Sequence, residues 1–284
     1  MTGAAFALPA PPAPGTIQRA RGRSHVGFAR DEAGRTRLAD LFQAGCAKIR
    51  LPRIHDDLPT AVLLNTSGGL TGGDHVVFSV DVAAGAAAIA TTQAAERIYR
   101  RLEGSARVEM TLSAGAGATL NWLPQETILF ERSALDRTTT FRLTGDATLV
   151  AVEAIILGRA AMGEVVESLS LSDTQRIEID GRLVFADRLR LDGNARAILT
   201  GRATGAGATA FATVLARVAA PDETIARIRA LLDDADAEVT GGASIVNGIV
   251  IARLMASDGQ RLRSRLMPIL EAVRAGPLPR VWHC

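Results

Sequence analysis

The sequence predicts a mainly β protein of stacked strand units resembling an irregular β-solenoid or a layered sandwich, with two helices toward the C-terminus. Three observations carry this expectation. From Val76 to Val152 apolar residues alternate with polar ones at period two, the spacing of strands with one buried face. Glycines interrupt the alternation at Gly85, Gly117 and Gly145, about 30 residues apart, as a repeated strand, turn and returning strand requires. Helical periodicity enters only after Pro221.

In chain order, Met1 to Gly15 is rich in alanine and proline, with no basic residue ahead of its apolar part, so residues 1–16 read as a disordered tail rather than a signal peptide. Residues 17–284 read as a single mainly β domain. Ile17 to Phe28 carries Arg19, Arg21 and Arg23 and suits an edge strand whose charges discourage unwanted pairing. Asp31 to Gly34 is a turn, and Thr36–Asp40, Cys46–Arg50 and Ala61–Leu64 suit short strands. The units then run Val76, Phe78, Val80, Val82 to Gly85; Val108, Met110, Leu112 to Gly117; and Phe141, Leu143 to Gly145, with a fainter fourth at Leu189, Leu191 and Gly193. Acids after Pro221 and the spacing of Ile225, Ile228, Leu231 and Leu232 predict a helix near 221–238. The apolar run Ile249–Ala252 suits a buried strand. A second helix near 258–275 would turn Leu262, Leu266, Ile269, Leu270 and Val273 inward and Arg261, Arg263 and Arg265 outward, with Pro268 kinking it or opening a new first turn.

Composition narrows the function classes. The chain has 284 residues, 48% of them hydrophobic, and a net charge of +2, enough for a substantial core and too balanced for a polyanion binder. Aromatics make up only 4%, so there is no stacking platform for single-stranded nucleic acid. No apolar run approaches the roughly 20 residues of a bilayer span. Cys46 and Cys284 form no CxxC, which fits a reducing, cytoplasmic setting. Lys48 is the sole lysine; arginine carries the rest of the basic charge and suits carboxylate pairing at interfaces.

Signals for enzymatic chemistry are thin. Gly68 and Gly73 have the spacing of a phosphate-binding loop, but Asp74 and His75 stand where its lysine and hydroxyl residue belong. Gly242-Ala243-Ser244-Ile245-Val246 lacks the closing glycine of a nucleophile elbow. The four histidines show no metal-ligand spacing, and His55-Asp56-Asp57 sits on consecutive loop positions that do not converge easily. An acid–base pair among Asp74, Glu96, Glu126, Glu153 and Glu164 stays open. Polar residues beside predicted strands, namely Thr91, Thr92, Gln93, Glu96, Arg97, Tyr99, Gln125, Glu126 and Arg159, offer a recognition surface or the lining of an internal passage; pairing of Arg97 and Arg159 with nearby glutamates is the alternative.

Four blocks carry a resemblance. The turn Gly68-Gly69-Leu70-Thr71-Gly72-Gly73-Asp74 followed by Thr91-Thr92-Gln93-Ala94-Ala95-Glu96-Arg97-Ile98-Tyr99-Arg100, then Leu123–Phe130, Leu157–Glu164 and Pro277–Trp282, together resemble the urease accessory protein UreD (UreH) family in the same order. The resemblance implies a non-enzymatic scaffold that binds urease apoprotein, UreF and, through it, UreG, while nickel is inserted into urease. It implies no tightly bound cofactor, transient Ni2+ at most, and a mainly β, solenoid-like fold. Asp74, Glu153 and Glu164 are then the expected acids of a nickel route. Val152 departs from the aromatic often found at that position in the family. An acid–base enzyme and a metal-independent β-solenoid adaptor are the rival readings.

Overall fold

The computed structural model describes residues 18–52, 58–159, 163–233 and 239–283. The expected tail, the His55-Asp56-Asp57 loop, part of the Leu157–Glu164 block and the last residues of the helix expected near 221–238 lie outside the described residues.

The chain opens with β1 (Arg21–Arg30), β2 (Thr36–Gly45), β3 (Ala47–Arg50) and β4 (Thr60–Asn65). Three coils follow, each a long strand, a tight turn and a returning strand: β5 (His75–Val82) to β6 (Ala87–Thr92), then after short β7 (Glu96–Ile98) the pair β8 (Ala106–Ala114) and β9 (Thr119–Leu123), then after short β10 (Thr127–Leu129) the pair β11 (Ala134–Leu143) and β12 (Thr148–Leu157). A hairpin of β13 (Ser168–Ile179) and β14 (Arg182–Asn194) leads to α1 (Ala195–Thr200) and β15 (Ala210–Arg217). The chain closes with α2 (Pro221–Asp233), the hairpin β16 (Val239–Val246) and β17 (Ile249–Ala256), α3 (Gly259–Arg274) and a terminal 3-10 turn, Arg280–His283.

The first strand of each coil enters one sheet and the second enters another. The 7-stranded sheet runs β14-β13-β11-β8-β5-β1-β2, and the 10-stranded sheet runs β16-β17-β15-β12-β9-β6-β4-β3, with β7 and β10 beside it. Within the coils all neighbours are parallel and stack like on like: Val76 beside Val108 and Leu112 beside Phe141 in one sheet, Ala88 beside Leu120 and Leu120 beside Leu149 in the other. The turns form their own ladder. Gly85 donates its N–H to the Ala116 carbonyl at 2.8 Å, and Gly117 and Gly145 donate to Asp146 and Asp180 on the next rung at 2.6 and 2.9 Å. All three glycines have positive φ, +68°, +68° and +55°, so a left-handed residue is needed at the same place in every coil. This is the repeat the glycine spacing predicts.

Burial explains the two kinds of strand pattern. The inward faces of both sheets meet in a core of Val76, Val80, Leu112, Leu120, Trp122, Phe141, Leu149 and Ile177, while the outer face of the 7-stranded sheet is polar, giving the alternation of β8. The 10-stranded sheet is covered on its other face by α2 and α3, where Ile89, Val150, Val152, Ile228, Leu266, Ile269 and Trp282 form a second core. Buried on both faces, β12 reads as a nearly unbroken apolar run. The fold is thus a layered sandwich with coiled connections.

Four expectations change. The strand expected at the edge, β1, lies between parallel β5 and antiparallel β2, because the turn after Arg30 folds the chain back and makes β2 the edge. The fainter fourth unit is no coil: β14 pairs antiparallel with β13, and Gly193 leads into α1 instead of a returning strand. Of the two readings of Pro268, the new first turn falls: the residue lies inside one helix, α3, whose start is set by Asp258 accepting the Arg261 N–H at 2.9 Å. Arg263 turns inward: it donates to Gln125 at 3.0 Å, Glu126 at 3.2 Å and the Trp282 carbonyl at 2.6 Å, and stacks 4.8 Å over the Trp282 ring. That contact fastens the C-terminal turn to the body. Among the described residues no helix is long and apolar enough to cross a membrane.

The glycine cluster yields a paired prediction. A Cβ on Gly72 would lie 1.9 Å from the Glu103 carbonyl oxygen, whereas one on Gly68, at φ +80°, meets nothing within 4 Å. Gly72→Ala is expected to lose about 2–3 kcal/mol of stability through overpacking against backbone, and Gly68→Ala only about 1 kcal/mol through left-handed strain. Urea unfolding of the two variants checks the difference.

Candidate functional site

The glycine-rich turn is a docking element for the strand that follows it. Leu70 N–H donates to the Arg97 carbonyl at 2.8 Å and Tyr99 N–H to the Leu70 carbonyl at 2.7 Å, so the turn adds itself to β7 as a further rung. Asp74 holds the turn closed. One of its carboxylate oxygens accepts the Ala20 N–H at 2.7 Å and the other the Thr71 N–H at 2.8 Å. Both oxygens serve the backbone, and Asp74 lines none of the cavities described below. Its side chain is a structural clamp on the turn.

Between the sheets the structure assembles a line of polar side chains that the matched blocks only partly indicate. Arg137 faces inward from β11, directly beside Asp173 on β13. Its guanidinium donates Nε and Nη2 to the two oxygens of Asp173 at 2.9 and 2.7 Å, and Nη1 to Thr127 Oγ1 at 2.9 Å. Nη1 also meets Glu153 Oε2, on the opposite sheet, at 2.8 Å. The second oxygen of Glu153 accepts the Trp122 indole N–H at 3.0 Å. Arg137, Asp173 and Glu153 are all buried, so this triad joins the two sheets across the interior. Farther along, Glu96 on β7 receives Asn65 Nδ2 on both oxygens at 3.2 Å.

Three cavities share these residues. The first, about 210 Å³, opens among Asn65, Gly68, Gly69, Gln93, Ala94 and Arg97 and reaches Thr92 and Glu96. Thr92 and Glu96 also line the second, about 60 Å³, which runs past Trp122, Gln125 and Thr127 to Arg137 and Glu153. Glu153 in turn lines the third, about 30 Å³, bounded by Asp173, Gln175, Asp187 and Thr213. A water needs roughly 10–15 Å³ of such space. The inner cavities therefore have room for a few waters each.

The electrostatics follow from burial. Desolvation pushes Glu153 up to about 7 despite Arg137 beside it, with Asp173 adding to the rise. Desolvation likewise pushes Glu96 up to about 7 against the bonds from Asn65 and the Arg97 N–H. Burial also works against the charge on Arg137, but Asp173 and Glu153 outweigh it and hold the guanidinium protonated.

The expected site residues therefore divide. Thr92, Glu96, Gln125 and Glu153 line the second cavity, and Gln93 and Arg97 line the first together with Thr92 and Glu96. Thr91 faces the helices instead: its hydroxyl donates at 2.5 Å to the Leu123 carbonyl, which also receives the Trp282 indole N–H at 3.0 Å. Glu126 is held by Arg263, and Glu164 by Arg159 at 2.9 Å, so these two acids answer to separate arginines. Burial opposes the charge of Glu164, yet Arg159 and the Glu131 N–H keep its carboxyl below the usual glutamate value. Its place is at the surface: Arg159 stacks 4.6 Å over Phe130, whose ring lies 5.2 Å from that of exposed Tyr99. Of the three acids expected on a metal route, Glu153 alone lines any of these three cavities. Among the described residues no three His, Cys, Asp or Glu side chains gather as a metal-holding group.

Arg137, Asp173, Asn65 and Thr127 are absent from the residues the sequence singled out. A signal existed for two of them. Strand parity places Arg137 in step with Leu135 and Phe141, and Asp173 in step with Leu171 and Ile177, so each is a charge at an inward position.

Comparisons with known proteins agree on one family. A family model described as UreD urease accessory protein matches residues 20–283. The chain is 45% identical over 267 residues to the urease accessory protein UreD of Rhizobium leguminosarum bv. viciae, covering 94% of this chain and 96% of that relative. It is 46% identical to the protein of the same name from Rhizobium rhizogenes and 43% identical to that from Cereibacter sphaeroides, with the same coverage.

The raised Glu96 predicts a pH dependence. Between pH about 4.5 and 7 the unfolded chain gives up this proton before the folded one does, so folding stability falls as pH rises and levels off above 7. Glu96→Gln removes that loss. The variant is expected to gain on the parent progressively from pH 5 to 8, by on the order of 2 kcal/mol, in urea unfolding followed at several pH values.

Proposed function

The chain belongs to the UreD urease accessory protein family, and from that premise we propose that it is a non-enzymatic scaffold in urease maturation, binding urease apoprotein together with UreF and, through UreF, UreG. We propose further that nickel crosses it as cargo on the way to the urease active site. The observation that supports a crossing most directly is the row of three neighbouring cavities, the first and second sharing Thr92 and Glu96 and the second and third sharing Glu153, that extends from Gly68, Gln93 and Arg97 to Asp187 and Thr213.

The chemistry suits transit better than storage. Carboxylate, amide and hydroxyl oxygens are hard ligands for a divalent cation, and here they are spaced along the passage rather than gathered at one point. Each position can replace some hydration waters, and none offers enough ligands to trap the ion. Glu153 is the central oxygen donor, reachable from both inner cavities.

The surface beside the first mouth is suited to a partner. Tyr99 is exposed at 39% and Leu102 at 81%, next to the Arg159 and Phe130 stack. Aromatic and arginine side chains on a rigid strand are the residue types that anchor protein interfaces. A partner seated there would cover the mouth at Gln93 and Arg97 and receive or supply the cargo.

Two experiments test this reading. In reconstituted activation with UreF, UreG and urease apoprotein, Glu153→Gln is expected to assemble like the parent while the nickel content of urease falls several-fold; an assembled variant that delivers a full complement of nickel overturns the passage and leaves the scaffold. Tyr99→Ala is expected to weaken capture of the partner complex about tenfold, a loss near 1.4 kcal/mol, measured by pull-down titration.

A further inference from the structure

The passage carries its own cation. Arg137 lines the second cavity, and Asp173 and Glu153, its two carboxylate partners, line the third, so the guanidinium stands where the one gives way to the other. It occupies both oxygens of Asp173 and one of Glu153. These are the oxygens that a divalent ion leaving the second cavity would need. The ion also arrives beside a fixed positive charge in a low-dielectric interior, where repulsion is poorly screened. A second feature marks the same place. Gln125, 8% exposed, gives its Oε1 to Arg263 and leaves Nε2 buried with no partner beside the cavity that ends at Arg137. A buried amide donor of this kind is satisfied by an oxygen brought in with a ligand, such as a water still bound to an ion.

Resting on the passage reading, we propose that Arg137 is the closure of the passage: its guanidinium holds the Asp173 and Glu153 carboxylates in place of the cargo, and a divalent cation advances only by displacing it from one of them. The closure is an exchange of ligands. No covalent bond changes; the ion gains a carboxylate oxygen and loses a water, and the guanidinium keeps its charge and its second carboxylate while the ion passes. Arginine fits the role because its fork engages two acids at once and does not lose its proton. The exchange also keeps the ion from settling, since Arg137 competes for each oxygen it takes.

The closure predicts a gain of function on removal. In the full-length chain, co-purified with UreF and UreG, Arg137→Met leaves two buried carboxylates without a counter-ion. Equilibrium dialysis with Ni2+ alone is expected to show one additional site per chain, at least tenfold tighter than any competing occupancy at this point in the parent, and lost again in Arg137→Met combined with Glu153→Gln. If the single variant is unstable, added Ni2+ is expected to raise its melting temperature by several degrees while leaving the parent unchanged. Arg137→Lys, a point charge that cannot fork, is expected to bind Ni2+ at an intermediate level. An Arg137→Met chain that neither binds more Ni2+ than the parent nor is stabilised by it overturns the closure. Should that result come with Glu153→Gln still lowering nickel delivery, the passage stands and only the closure falls; a Glu153→Gln complex that delivers nickel in full removes the passage itself.

Discussion

The interior of this protein is organised around one buried guanidinium. Arg137 projects from the 7-stranded sheet and is held by Asp173 on the neighbouring strand and by Glu153 on the facing sheet. Three charged groups between two apolar faces are expensive to bury singly, because each loses its hydration, and become tolerable only together. Their geometry must therefore be kept. The coils provide this by fixing the register: with β8, β11 and β13 parallel and in step, Arg137 and Asp173 are cross-strand neighbours along their whole length. Trp122, from a returning strand, donates to the second oxygen of Glu153, and Thr127, from the short strand β10 between coils, accepts from Nη1 of Arg137. The triad makes the two sheets interdependent, and it places a polar path where a sandwich would otherwise be filled with leucine and valine.

Around that path the architecture separates tasks by layer. The turns at Gly85, Gly117 and Gly145 stack at one end and set the coil spacing. At the other end, the segments between coils provide β7 and β10, and with them Glu96 and Thr127, so the irregular connections carry the polar groups while the regular strands carry the core. The helices α2 and α3 cover the far face of the 10-stranded sheet, and Arg263 ties α3 to Gln125, Glu126 and Trp282. Gln125 thus stands between the helix layer and the second cavity, which it lines: its amide oxygen is fixed by Arg263. The clamp of Asp74 on the glycine turn gives the cavity beside Gly68 and Gly69 the same kind of support.

Particular residues show how far sequence reading reached. Period-two alternation and the recurring glycines were sufficient for the three coils, since each depends on a local rule: side chains alternate across a strand, and a left-handed turn residue is easiest as glycine. The fourth unit misled because Leu189, Leu191 and Gly193 obey the same local rules in a hairpin as in a coil, and only pairing distinguishes the two. The site was half legible. Thr92, Glu96, Gln125 and Glu153 were visible as polar residues bordering apolar strands. Asp74 and Glu164 have the same appearance in sequence, yet one clamps two backbone N–H groups and the other pairs with Arg159 at the surface.

The sequence by itself determined the three coils, the two C-terminal helices and the family, because strand period, turn glycines and motif blocks are properties of short stretches. Tertiary structure alone decided which charges meet. Strand parity sends Arg137 inward, but it cannot name a partner 36 residues away on a neighbouring strand or a third on the opposite sheet; those follow from the register of parallel coils and from the way the two sheets face each other. The path from Glu96 to Asp187 exists only in that assembled register, since no two of its buried acids are neighbours in the chain.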